Sequence, residues 1–198
     1  MNAAVTRLGD ATGTRERLLS AATALFIECS FAGTSHQMIA DELGITKAAV
    51  HYYFRTREEL LIAVMEPILL QIRAALEAAE RQRSIRSRAT LMLTGFAEVV
   101  ARNRSLAAVL TFDPSVISAL QSHSDWRPVI EREMAVLAAV DDGPAGVIKA
   151  NAALTGLTGA ASGAPDDLDD VALSSLLVDI GRRILGLRLQ RQRDPLDR

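Results

Sequence analysis

The feature that most limits how this chain can fold is a glycine held between two short amphipathic runs. In residues 34–54, TSHQMIADELGITKAAVHYYF, the residues Ile39, Ala40 and Leu43 recur at helical spacing up to Gly44, and glycine is the residue best suited to the left-handed position that ends a helix. Thr46 follows where a hydroxyl caps a further helix reaching about Phe54. Upstream, Thr34 and Gln37 have the spacing of a capping box. An earlier helix over residues 14–30 is marked by Leu18, Ala22, Leu25 and Phe26. The predicted order is helix, short helix, tight glycine turn, short helix.

Composition extends this helical reading to the whole chain. At 198 residues, 49% hydrophobic but only 4% aromatic, the chain is long enough to bury about 70% of its unfolded surface. Alanine and leucine dominate and β-branched runs are scarce, which favours helix over sheet. The expected fold class is all-α. A single cysteine, Cys29, precludes an internal disulfide, and residues 1–14 lack the pattern of a secretory leader, so a cytoplasmic protein is expected. Even the smoothest stretch, residues 143–161, is interrupted by Lys149 and Asn151, and no membrane partner is expected. A net charge of −2 excludes nucleic-acid binding through bulk charge. Locally the balance differs: residues 45–57 carry Lys47, Arg55 and Arg57 and no acid.

The remainder reads as a series of helices. Residues 1–13 are small and polar without periodicity, a flexible arm. A long helix begins at Arg57 and contains Pro67, which predicts a kink over residues 63–67. Further helices are expected over residues 87–103, 105–111, 115–122 and 127–140. Residues 143–163 are rich in alanine and glycine, and Gly156, Gly159 and Gly163 would let another backbone approach. Acids at Asp166, Asp167, Asp169 and Asp170 suit the head of a final helix carrying Leu173, Leu177, Ile180, Ile184 and Leu187. Gly156, Gly159, Leu173, Leu177, Ile180 and Ile184 are candidates for an interface with a second copy.

Two short helices about a glycine turn suit a helix-turn-helix, which lays its second helix in the major groove. The segment is similar to the TetR family in its Ile39-Ala40 pair, its Leu43-Gly44 turn, its Tyr52-Tyr53-Phe54 run, and Arg57, Glu58-Glu59 and Leu60. The similarity covers residues 14–65. It implies an N-terminal DNA-binding domain over residues 14–57 and a helical effector-binding and dimerisation domain over residues 58–198. It places His36 and Gln37 against DNA, Thr46, Lys47, Ala48 and Ala49 near the base edges, His51, Tyr52 and Tyr53 on phosphates or bases, and Arg57 on a backbone phosphate. Lys47 can donate to guanine, Gln37 can pair with adenine, and an alanine methyl can pack on thymine. His51 stands where the family usually has tyrosine.

The resemblance further implies a homodimer on a palindromic double-stranded operator, released by a small-molecule effector. Met92, Phe96, Phe112, Trp126 and Met134 are candidates to line an apolar effector pocket, with Asp113 or Asp125 as polar contacts. No cofactor, metal cluster or catalytic motif is expected. The alternative is a helical ligand carrier or adaptor that uses the same fold without operator binding.

Overall fold

Helix heads and helix ends set this architecture, and most are fixed by single polar side chains. A computed structural model describes residues 3–187, with side chains from Gly13 onward except at residues 108 and 110–112. Among the described residues the chain forms α1 (Ala3–Gly33), α2 (His36–Leu43), α3 (Lys47–Tyr53), α4 (Arg57–Glu80), α5 (Ile85–Arg102), α6 (Arg104–Phe112), α7 (Pro114–Ser122), α8 (Trp126–Ala138), α9 (Pro144–Ser162) and α10 (Asp170–Leu185). Helices α1 to α3 pack with the start of α4, and α4 runs on to pair with α5. Beyond it α5 meets α10, α6 and α8 meet α9, and α9 meets α10. A continuous apolar core extends from Leu18 in α1 to Leu187.

Several boundaries differ from the sequence reading for identifiable reasons. Helix α1 begins at Ala3, drawing in much of the segment expected as an arm. The Thr34–Gln37 capping box does not form. Instead the Ser35 hydroxyl accepts from Met38 N at 3.2 Å, while buried Thr34 directs its Oγ1 to Leu25 O and Ser30 O. Gln37 donates from Nε2 to Asp41 Oδ1 at 2.7 Å. Helix α4 runs unbroken from Arg57 to Glu80 with Pro67 inside it on the exposed side, where the missing amide leaves the Ala63 carbonyl without its helical donor. The departure from helical geometry falls in α1, where Ser30 adopts φ 64 and ψ 166.

The C-terminal helices also correct the interface assignment. Leu173 and Leu177 are buried, 3% and 1% exposed, within the chain's own core. A side chain at Gly181 would run into Leu93 and Leu157, so α10 lies directly on α5 and α9. Gly156 has open space around it, and Ile180 is 44% exposed. No helix among the described residues is long and apolar enough to cross a membrane.

Candidate nucleic-acid interface and ligand cavity

Helix α3 is seven residues long, too short to hold itself together in water. Its position is fixed from outside. Gly44 at φ 64 and ψ 33 ends α2 and returns its amide to Ala40 O and Asp41 O. Thr46 then accepts from Ala49 N at 3.2 Å, and Val50 is fully buried as the anchor of the helix. With Val50 inward, Lys47, Ala48, His51 and Tyr52 are exposed, as are Thr46 and Gln37, while Ala49 and Tyr53 are half-buried. Tyr52 stands out at 83% exposure, its ring edge-on to Tyr53 at 5.3 Å. Exposed Arg55 adds a second cation beside Lys47. Glu59 is occupied in capping, its backbone amide donating to Thr56 Oγ1 and its carboxylate accepting from Arg55 N at 2.8 Å.

Two expected DNA contacts lie elsewhere. His36 shares the inward face of α2 with Ile39 and Ala40 and is 8% exposed. Its ring meets that of His51 edge-on at 5.9 Å, supporting the exposed imidazole from beneath. Burial, followed by the positive charges of Lys47 and Arg57 and the neighbouring His51, holds its pKa below the usual histidine value despite a hydrogen bond with the Thr56 backbone. Arg57 turns inward as well. Its Nη1 donates to Phe31 O, Ala32 O and Thr34 O at 3.3, 3.0 and 2.9 Å, and its guanidinium lies 5.2 Å from the centre of the Phe31 ring. The carbonyls released where α1 breaks at Ser30 need donors, and Arg57 supplies them. Arg57 is a clasp between α1 and α4.

The second site is a cavity of about 90 Å³ enclosed by α4, α5, α6, α8 and α9. Ile68, Ile72, Phe96, Val99, Val100, Val129 and Ile130 give it an apolar wall. Phe96 and Trp126 line it as expected. Met92 and Met134 do not, Met92 being fully buried in the core, and the Phe112 side chain lies outside the described residues. Asp113 is not a wall residue either: it caps α7 and accepts from Ala32 N at 2.9 Å. Burial pushes its carboxyl up, but hydrogen bonds from Ser115, Ala32 and Val116 outweigh this and hold it below the usual carboxylate range. Asp125 is absent from the wall and makes no capping bond at the head of α8.

The acid that does line the cavity is Glu133, which the sequence reading passed over. The signal was a carboxylate on an apolar stripe, since Trp126, Val129, Glu133 and Leu137 share the buried side of α8. Glu133 is 6% exposed, its Oε1 has no hydrogen-bond partner, and burial raises its pKa to about 8. Trp126 Nε1 is likewise buried without a partner. The polar neighbours Asn103 and Thr158 are already engaged, donating to Val99 O and Leu154 O.

A capped, exposed helix after a glycine turn, set on a helical bundle with an internal cavity, has the arrangement of a helix-turn-helix unit joined to a second helical domain. Residues 18–64 match the family described as bacterial regulatory proteins, tetR family. In this N-terminal unit the chain is similar to the TetR family. It is 38% identical over 52 residues to an uncharacterized HTH-type transcriptional regulator, YerO, of Bacillus subtilis (strain 168), a stretch that is 26% of this chain and 18% of that protein. The fold extends the likeness along the chain. The ketosteroid transcriptional regulator KstR2 of Mycobacterium tuberculosis is similar with a TM-score of 0.63 at 16% identity, over 87% of this chain and 93% of that one. The TetR family regulator PfmR of Thermus thermophilus gives 0.61 at 19%, covering 86% and 95%. FadR of Bacillus subtilis, in complex with stearoyl-CoA, gives 0.59 at 14%, covering 84% and 96%.

Proposed function

We propose that this chain is a transcriptional repressor that binds a two-fold symmetric operator as a homodimer and releases it when an apolar small molecule occupies the α4–α9 cavity. The observation that carries the reading is the outward surface of α3, where Lys47, Ala48, His51 and Tyr52 are exposed around the buried anchor Val50. A helix so held can enter a major groove about 12 Å wide. Lys47 and Gln37 are the direct readers, with Thr46 and Ala49 beside them, and Tyr52 and Arg55 meet the backbone. With Ala48 offering only a methyl, DNA shape supplies part of the specificity.

Dimerisation is assigned to the outer surfaces of α9 and α10, which carry exposed Ile148, Val171, Leu176 and Ile180 beside the open space at Gly156. The route between sites runs through α6. Asn103 and Ala107 touch the cavity at its head, Asp113 follows its end and holds Ala32 N, and Ala32 O holds Arg57. A ligand that shifts α6 would pull on the broken end of α1 just ahead of α2. Only about 1.4 kcal/mol of coupling changes operator affinity tenfold. A lipophilic effector is in keeping with the ketosteroid and stearoyl-CoA named for two fold neighbours.

The decisive experiment is binding to random duplex DNA across a salt series, followed by selection of a preferred site. The expected result is an affinity whose logarithm falls linearly with the logarithm of salt, and a selected site with two half-sites at least one helical turn apart. Absence of any duplex binding at low salt would instead leave a ligand carrier.

A further inference from the structure

Glu133 and Trp126 are the two cavity-wall side chains with a buried polar atom left open among the described residues. An unpartnered buried polar group costs on the order of 1–3 kcal/mol, so two on residues that line one small cavity favour a complement there. They sit two turns apart on α8, about 10 Å along its axis, and both side chains reach the same cavity of about 90 Å³. A single occupant of the cavity therefore lies against both residues.

We infer that the molecule this cavity takes is neutral and mainly apolar, with a hydroxyl oxygen that both donates and accepts hydrogen bonds, an aromatic alcohol in class, read by Glu133 and Trp126. The inference rests on the cavity being the effector site and adds the chemistry that selects the effector. Trp126 Nε1–H is a donor only and requires an acceptor. The Glu133 carboxyl, with no charged residue among the others lining the cavity, offers an O–H and a carbonyl oxygen when protonated. A hydroxyl satisfies both kinds of group. An ammonium cation supplies donors alone, leaves the indole N–H open, and requires a buried ion pair whose desolvation offsets its attraction. A plain hydrocarbon fits the wall but leaves both groups unmet, and an ether cannot donate to Glu133.

The test is calorimetric titration of the intact protein with phenol, anisole, benzene and benzylamine. Phenol is expected to bind about tenfold tighter than benzene or anisole, the worth of one to two hydrogen bonds, and tighter than benzylamine. Glu133→Gln keeps a donor and an acceptor and should keep the preference. Glu133→Met should reduce it to what the Trp126 indole alone supports, while benzene still binds, which shows that the cavity is intact. Equal binding of phenol and benzene, tighter binding of benzylamine, or an undiminished phenol preference in Glu133→Met would overturn the inference. Operator binding is read separately. If phenol binds with this selectivity but leaves DNA affinity unchanged, the chemistry stands and the effector assignment fails. If benzene or benzylamine displaces DNA more effectively than phenol, the effector assignment stands and the chemistry fails.

Discussion

The helix-turn-helix and the cavity between α4 and α9 differ in how fully their polar side chains are met within the chain. Around α1 to α3 polar side chains are engaged within the chain: exposed Ser35, Thr46 and Thr56 cap their helices, buried Thr34 ties the end of α1, and Arg57 serves three carbonyls at once. His36 Nε2 is the exception. Around the cavity, Glu133 and Trp126 remain unmet inside an apolar wall. The first region is finished as it stands and can present a fixed surface. The second is unfinished until something else enters, which suits a site whose occupancy carries information.

The contrast breaks most visibly at Glu133. A carboxyl with its folded pKa near 8 keeps its proton in the native state over a range where the unfolded chain, with the ordinary value of 4.5, has released it. Stability therefore falls as pH rises from about 4.5 to 8 and levels off above, by up to roughly 5 kcal/mol. Glu133→Gln should remove that slope and melt at higher temperature than the parent at pH 8. Denaturant unfolding of both proteins at several pH values checks this: a slope that survives the substitution would mean that another group carries it, and a parent without the slope would mean that Glu133 finds a partner in solution.

Arg57→Ala tests the finished region, and the effect should be about 2–3 kcal/mol, since bonds from a charged donor and the stacking on Phe31 are lost together. Lysine should not rescue it, because an ammonium does not reproduce a planar donor stacked on a ring. The loss should appear first as exchange of amide protons in α2 and α3. Asp113→Ala should cost less, about 1 kcal/mol, by freeing the Ala32 amide and the head of α7. Its more telling effect is on communication: ligand binding should persist while the change in operator affinity it causes shrinks about tenfold.

Legibility in the sequence followed the same divide. Gly44, Thr46 and the inward Val50 act within a few residues of one another, so spacing alone located the turn and the exposed helix. Thr34 misled because its spacing from Gln37 is that of a capping box, whereas burial beside the break at Ser30 gives its hydroxyl nearer acceptors in α1. Arg57 misled for a related reason, since nothing local announces that α1 ends with three carbonyls in need of a donor. The cavity is drawn from five helices scattered between Ile68 and Thr158, and periodicity cannot say which apolar residues face a void and which face core. Met92 and Phe96 have the same spacing signal, yet one is core and the other wall. Leu173 and Leu177 likewise have the pattern of an interface and turn out to cover α5 and α9.

The smallest expected effect on stability is also the sharpest test of the reading of α3. Lys47 is exposed and makes no ion pair among the described residues, so Lys47→Ala should change unfolding free energy by no more than about 0.5 kcal/mol. Its cost should appear only when DNA is present. If Lys47 reads a guanine edge, discrimination at one position of each half-site should fall by about 1–3 kcal/mol. Affinity for unrelated duplexes, and its dependence on salt, should change little. Arg57→Ala should give the reverse pattern, a less stable domain with weaker binding to every sequence in proportion to the fraction unfolded. Two cations of one short segment would then be separated by function, one spent inside the fold and one kept for DNA. If Lys47→Ala weakened all duplexes equally and flattened the salt dependence, Lys47 would be a phosphate contact, and base reading would pass to Gln37 and the exposed side of His51.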